Sequence, residues 1–263
     1  MTAHYATLQI ERAAQVATIW MNRPEVFNAF DETLIDELSR ACEALDADPQ
    51  VRVVVLAGRG RHFSAGADLN WMKRASTGSQ ENNLQDARRF AAMLRRLSTL
   101  SKPTIARVQG LALGGGTGLA AACDIALATD DANFSTSEVK FGIIPSVISP
   151  YVLRAIGPRH ALRYFQSAER ISAKRAQAIG LVSEVLPAQD LDAAIAELAQ
   201  ALTAGGPQAQ IAAKELIASI TGRPVDEDLI EETAQRIARQ RATDEAKNGI
   251  SAFLEKRLPA WLS

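Results

Sequence analysis

The sequence predicts an α/β protein whose sheet is rich in parallel pairing and whose C-terminal third is helical. Up to about residue 155, β-branched runs alternate with segments whose apolar residues recur at helical spacing. Beyond that point the β signal fades, and segments 158–168, 172–179, 189–204, 207–220 and 226–245 carry helical apolar stripes. Apolar residues make up 47% of the 263, enough for a large core and too many for global disorder. A single core usually holds roughly 150–250 residues. One domain with an appendage is therefore expected, an α/β core over residues 1–195 and a helical region over 196–263.

YATLQIE (5–11) and QVATIWM (15–21) predict two short strands joined by a polar turn. NRPEVFNAF (22–30) is a loop. Asp31 then caps a helix carrying Leu34, Ile35, Leu38, Cys42 and Leu45 on one face. VRVVVLAG (51–58) predicts a buried strand ended by glycine. RGRHFSAGADLN (59–70) is a loop with small residues at its centre, and a charged helix follows over roughly 82–100. KPTIARVQG (102–110) is another strand, followed by a glycine loop, a short helix near 116–123 and the strand DIALAT (124–129).

Composition narrows the function. The 29 Lys plus Arg nearly cancel 30 Asp plus Glu, which argues against an unaided nucleic-acid or membrane-surface binder. Cys42 and Cys123 are too few for a disulfide framework or a four-cysteine zinc site, and His4, His62 and His160 are scattered, so no metal is expected. The N-terminus has no apolar h-region, and no window approaches about 18 uninterrupted apolar residues. A cytoplasmic location and no membrane partner follow as expectations. The basic residues Arg88, Arg89, Arg95, Arg96, Lys102 and Arg107 have no interleaved stacking aromatics, which favours a solvated helix face over nucleic-acid contact.

The most unusual stretch is QGLALGGGTGLAAACDIALAT (109–129), in which Gly114, Gly115 and Gly116 follow a strand and open a helix. Bare backbone amides at a helix N-terminus can hold an anion or a developing oxyanion. A structural turn for close helix–strand packing is the plainer alternative. GTGLAA (116–121) also fits a dinucleotide-binding fingerprint. It lies mid-chain, however, before a helix of barely two turns, and Asp130 comes 14 residues after Gly116 where about 20 is usual. HFSAGADL (62–69) is a second small-residue loop after a strand. Two such loops could bring two amides onto one carbonyl oxygen, the minimum for polarising a thioester.

Together, FSAGADL (63–69) and GLALGGGTGLAAACDIALA (110–128) resemble the enoyl-CoA hydratase/isomerase, or crotonase, family. MNRPEVFNAF (21–30), FSTSEVKFGIIP (134–145), RISAKRAQAIGLVSEVLP (170–187) and FLEKRLP (253–259) fall in that family's order, so the resemblance spans roughly residues 6–259. It implies a crotonase-like spiral of ββα units, a C-terminal helical trimerisation region, a homotrimer or dimer of trimers, and an acyl-CoA thioester substrate. No cofactor is implied, because coenzyme A belongs to the substrate. By the motifs, the amides of Ala67 and Gly115 form the oxyanion hole. Val26, Ala65 and Leu69 border the CoA, and Phe253 and Lys256 of a neighbouring copy close over its nucleotide.

Hydratases of this family usually carry two glutamates. The second matches Glu138; the first corresponds to Gly118, so one carboxylate remains. One glutamate can add water by acting first as base and then as acid, or can shuttle a proton between C2 and C4, which is isomerisation. A catalytically weak acyl-CoA-binding relative is the third reading. A dehalogenase-type aspartate is absent, its place taken by Ser146. GADLNWMKR (66–74) and GIIPSVISPYVLRAIG (142–157) further resemble methylglutaconyl-CoA and isohexenylglutaconyl-CoA hydratases, whose extra substrate carboxylate Lys73, Arg74 or Arg154 could meet.

Overall fold

The structure, a computed structural model, describes residues 4–262. The first hairpin forms from β1 (Leu8–Ala13) and β2 (Val16–Met21). A 3-10 turn at Pro24–Val26 leads to α1 (Glu32–Ala47). The Asp31 carboxylate accepts the Leu34 amide at 3.0 Å, the expected N-cap. Such a cap contributes about 1 kcal/mol, whereas each fully buried Leu or Ile contributes about 1.5–3. The buried Leu34, Ile35, Leu38 and Leu45 therefore decide where α1 docks.

β3 (Val53–Gly58) follows, then α2 (Leu69–Thr77), α3 (Gln80–Ser98) and β4 (Thr104–Val108). The glycine stretch contains β5 (Leu111–Leu113) and α4 (Gly115–Ala122), and continues into β6 (Ile125–Thr129) and β7 (Asn133–Ser135). A 3-10 turn at Glu138–Phe141 precedes α5 (Ser149–Ser167), β8 (Ile171–Ser172), α6 (Ala173–Ala178) and β9 (Glu184–Leu186). The chain ends in α7 (Leu191–Ala204), α8 (Pro207–Ile220), α9 (Glu227–Ala242), α10 (Asp244–Leu254) and a last turn at Ala260–Leu262.

The main sheet has the order β1-β2-β3-β4-β6-β9. Only the β1–β2 pair is antiparallel; the other four pairs are parallel. Strand alternation sends Val54 and Leu56 into the cluster shared with Leu34, Leu38 and Leu94, while Val53 and Val55 join Leu191, Ile195 and Ala199 of α7. β3 is therefore buried on both faces, as its unbroken apolar run predicts. A second sheet, β5-β7-β8, carries the later loops. This is the expected α/β architecture with a helical end. The division expected at residue 195 falls inside α7, whose Ile195 and Ala199 both lie against the sheet.

Several expected boundaries need correction. α2 begins at the end of the segment read as a loop and runs over residues for which no element was expected; Asp68 caps it through the Asn70 amide at 2.8 Å. β5 and β7 are three-residue strands defined by pairing with each other and, for β7, with β8. β8 and β9 lie in the region where the β signal fades, each completed by a neighbour's register. α5 begins before residue 158 and is interrupted at Gly157, φ +71°, just ahead of Pro158. The single helix expected over 226–245 is two, because the Thr243 hydroxyl caps α10 through the Ala246 amide at 3.1 Å.

Arg52, nearly buried, ties the helical end to the sheet by donating to the Gly205 carbonyl at 2.7 Å and the Gln210 side chain at 3.0 Å. α8 buries none of its residues, and Ile217, Ile230, Ile237, Ile250, Phe253 and Leu254 are exposed along the last three helices. Among the described residues, no helix is long and apolar enough to cross a membrane.

Candidate active site

The loop after β3 is shaped by residues 22–31. Asn28, φ +53°, donates to the carbonyls of Arg59 and His62, both at 2.8 Å, and accepts the Arg23 amide at 2.9 Å. The Ser64 hydroxyl donates to the Asn28 carbonyl at 2.8 Å, and the Ala65 amide to Phe27 at 2.9 Å. A parallel bridge then joins Phe30 to Ala67. In it the Phe30 amide bonds Gly66, and the Asp68 amide bonds Phe30. Backbone groups alternate in direction along an extended chain, so the Ala67 N–H points away from Phe30. No acceptor for it exists among the described residues.

The second loop meets the first. The Gly114 amide donates to Ser135 at 2.7 Å, and the buried Thr117 hydroxyl donates to Ala112 at 2.7 Å and Ser135 at 3.1 Å. The first bond of α4 runs from the Gly118 amide to the Gly114 carbonyl at 3.2 Å. The Gly115 amide, one turn earlier, therefore has no helical acceptor. A Cβ on Gly66, φ +89°, would stand 2.6 Å from the Leu113 carbonyl oxygen and 3.7 Å from the Gly115 nitrogen. Glycine at 66 is thus what lets the two loops touch. Gly115 has no room either: a Cβ there would lie 2.0 Å from the Phe30 ring.

Glu138 opens the turn after β7 and is half-buried. Its Oε1 lies 3.3 Å from where a Gly114 Cβ would be, which puts the carboxyl at the start of α4. Its Oε2 is buried without a hydrogen-bond partner, and no cation pairs with the group among the described residues. Burial pushes its pKa up, only partly opposed by a backbone hydrogen bond. A surface or ion-paired carboxylate, the plain alternative, does not look like this. Unpaired polar atoms of this kind are rare in folded chains and call for an explanation.

Arg23 and Asp68 support the site, a pair that sequence reasoning missed. Arg23 lies 3.1 Å from Asp68 and 3.2 Å from Asp31. Burial acts to raise the Asp68 pKa, but the Asn70 and Trp71 amides and the Arg23 charge outweigh it and hold it below the usual range. Asp68→Ala removes the α2 cap and half of this anchor. Loss of about 1–2 kcal/mol is expected, read as a lower denaturant midpoint with unchanged m-value. Because the Asp68 pKa is depressed, its contribution is present above the unfolded pKa and is lost as pH falls through the folded one. The difference between the two proteins should therefore shrink in acid.

Val26 and Ala65 are half-buried on the same loops, and Leu69 is 81% exposed at the first residue of α2. Exposed Phe141, Ile143 and Ile144 follow Glu138. Phe253, 83% exposed near the end of α10, and Lys256, φ +55°, just after it, lie at the end of the helical region. Arg74 is already engaged: one of its nitrogens lies 2.7 Å from both Glu32 oxygens. Arg74 can meet a substrate carboxylate only in competition with Glu32. Arg154 sits 6.0 Å over the Tyr151 ring, and Lys73 is exposed on α2. Among the described residues no cluster of three or more His, Cys, Asp or Glu could hold a metal ion.

Two unpaired amides in touching loops, with a buried carboxyl beside them, form a site for polarising a carbonyl and moving a proton. The family model for enoyl-CoA hydratase/isomerase matches residues 11–263. A crystal structure of an enoyl-CoA hydratase from Shewanella pealeana superposes with a TM-score of 0.94 at 40% identity, covering 97% of this chain and 96% of that one. The 2,3-dehydroadipyl-CoA hydratase of Escherichia coli is 35% identical over 254 residues, 96% of this chain and 97% of that protein. The crotonyl-CoA hydratase of Syntrophomonas wolfei is 32% identical over 266 residues, covering 98% of this chain and 99% of that protein. The chain belongs to the enoyl-CoA hydratase/isomerase family and has the crotonase fold. The expectation of an enzyme of the enoyl-CoA hydratase class holds at this level.

Proposed function

We propose that this enzyme adds water across the 2,3 double bond of an enoyl-CoA thioester, using Glu138 as its only carboxylate. The observation that carries the reading is the buried, unpartnered Glu138 Oε2 beside two touching loops whose Ala67 and Gly115 amides have no acceptor among the described residues. The thioester oxygen accepts both amides. Glu138 takes a proton from water as the hydroxyl bonds to C3, and electron density moves onto the thioester oxygen. The enolate is held by the two donors, which gain strength as its charge develops. Glu138 then returns the proton to C2, so one water is added and the carboxylate is regenerated.

Val26, Ala65 and Leu69 border the CoA, and the exposed Phe253 and Lys256 serve a neighbouring copy. The exposed apolar side chains of the last three helices supply the surface for a homotrimer or dimer of trimers. Light scattering at assay concentration should find no active monomer. Lys256→Ala should raise KM for the CoA substrate more than it lowers kcat; a fully active monomer overturns the shared site.

The absence of a carboxylate at Gly118 favours isomerisation as a second reading. Loss of the conjugated enoyl-thioester absorbance on mixing with crotonyl-CoA or 3-methylglutaconyl-CoA supports hydration. Appearance of that absorbance from a 3-enoyl-CoA supports isomerisation, and neither change supports a binding protein. For the branched glutaconyl substrate, Lys73 and Arg154 are the remaining candidates to meet its carboxylate.

A further inference from the structure

The place where hydratases of this family carry their first glutamate is not merely vacant here; another side chain fills it. Gly118 is buried at the end of the first turn of α4. A Cβ built on it would stand 2.2 Å from Ile148 Cγ2 and 2.7 Å from Ile148 Cβ. Rotating χ1 of Ile148 would carry Cγ2 away but leave its Cβ where it is. The Ile148 backbone cannot easily withdraw, because its carbonyl accepts the Tyr151 and Val152 amides at 3.2 and 3.1 Å as α5 begins. Ile148 itself is 2% exposed. Its Cα would lie 3.6 Å from the built Cβ, an ordinary contact. Alanine at 148 would therefore still collide, and only glycine there leaves room.

Gly118 lies one helical turn beyond Gly114, the residue that abuts Glu138. We propose that Ile148 is a specificity-determining residue that closes this site to a second carboxylate and confines proton transfer to Glu138. An apolar group thus occupies the space into which a side chain at 118 would grow. The catalytic half of this inference rests on the hydratase reading; the packing half does not.

The test uses full-length wild type, Gly118→Glu, Ile148→Gly and the double variant. Thermal melting without substrate reads the packing. Gly118→Glu should melt several degrees below wild type, because its side chain overpacks the space that Ile148 fills. The double variant should melt above Gly118→Glu, because the two changes share one space and are not additive. A Gly118→Glu protein that melts with wild type, or a double variant no more stable than Gly118→Glu, overturns the pairing. The pH dependence of kcat/KM on crotonyl-CoA reads the chemistry. Ile148→Gly should keep a single acid-limb ionisation, and the double variant should add a second. An identical single limb in both overturns the claim that position 118 faces the reacting groups. Glu138→Gln is assayed in parallel: full activity there sinks the catalytic reading and leaves the melting result standing.

Discussion

Glu138→Gln is expected to lose at least ~10²-fold in turnover while keeping its fold and assembly. The amide matches the carboxyl in size but cannot take a proton from water or return one to C2. The wild-type pH profile carries a second mark. If the carboxylate is the active form, kcat/KM rises with pH through the Glu138 pKa and levels above it. Burial pushes that pKa up, so the acid limb should lie above the ordinary carboxylate range. The same shift fixes a sign for stability. Glu138 binds its proton more tightly folded than unfolded. Its contribution is thus full below the unfolded pKa and lost as pH rises through the folded one. Glutamine has no such loss, so the variant should melt no lower than wild type near neutral pH. Normal turnover, or inactivity accompanied by unfolding, overturns the assignment.

The second large effect is expected at the Gly115 amide. Side-chain substitution cannot test it cleanly, because even alanine would place its Cβ 2.0 Å from the Phe30 ring. An amide-to-ester replacement at residue 115 removes the donor and keeps the shape. Loss of one oxyanion donor typically costs ~10² to 10³ in rate, about 3–4 kcal/mol. The enolate oxygen carries more charge than the ground-state carbonyl, so turnover should fall further than CoA affinity. If affinity falls and turnover holds, residue 115 only packs the ligand. The unpaired state of this amide leads to the same expectation, since a donor already committed within the chain would be replaced with little loss.

Local chemistry made much of this legible in the residues alone. Asp31 ahead of an apolar stripe announces α1, because capping and helical spacing act within one or two turns. The run over 51–58 announces a strand buried on both faces, and glycines before a short helix announce bare amides. Glu138 emerges from its motif, and the fold buries one of its oxygens without a partner. The small strands β5 and β7 did not emerge, because three residues carry no periodicity and their pairing alone defines them.

What the sequence by itself determined is the candidates for the reacting groups, the glycines that bare the amides, and the absence of a carboxylate at 118. Those depend on residue identity and on neighbours close in the chain. Only the tertiary structure decided how the groups meet. Asn28 holds a loop more than thirty residues away, with the bond to His62 spanning 34 positions, and Arg23 reaches Asp68 across 45. Arg74 pairs with Glu32 across 42 positions, and Ile148 fills the space beside Gly118. Each of these outcomes depends on contacts between segments distant in sequence, whose geometry arises only when the whole core packs and excludes water.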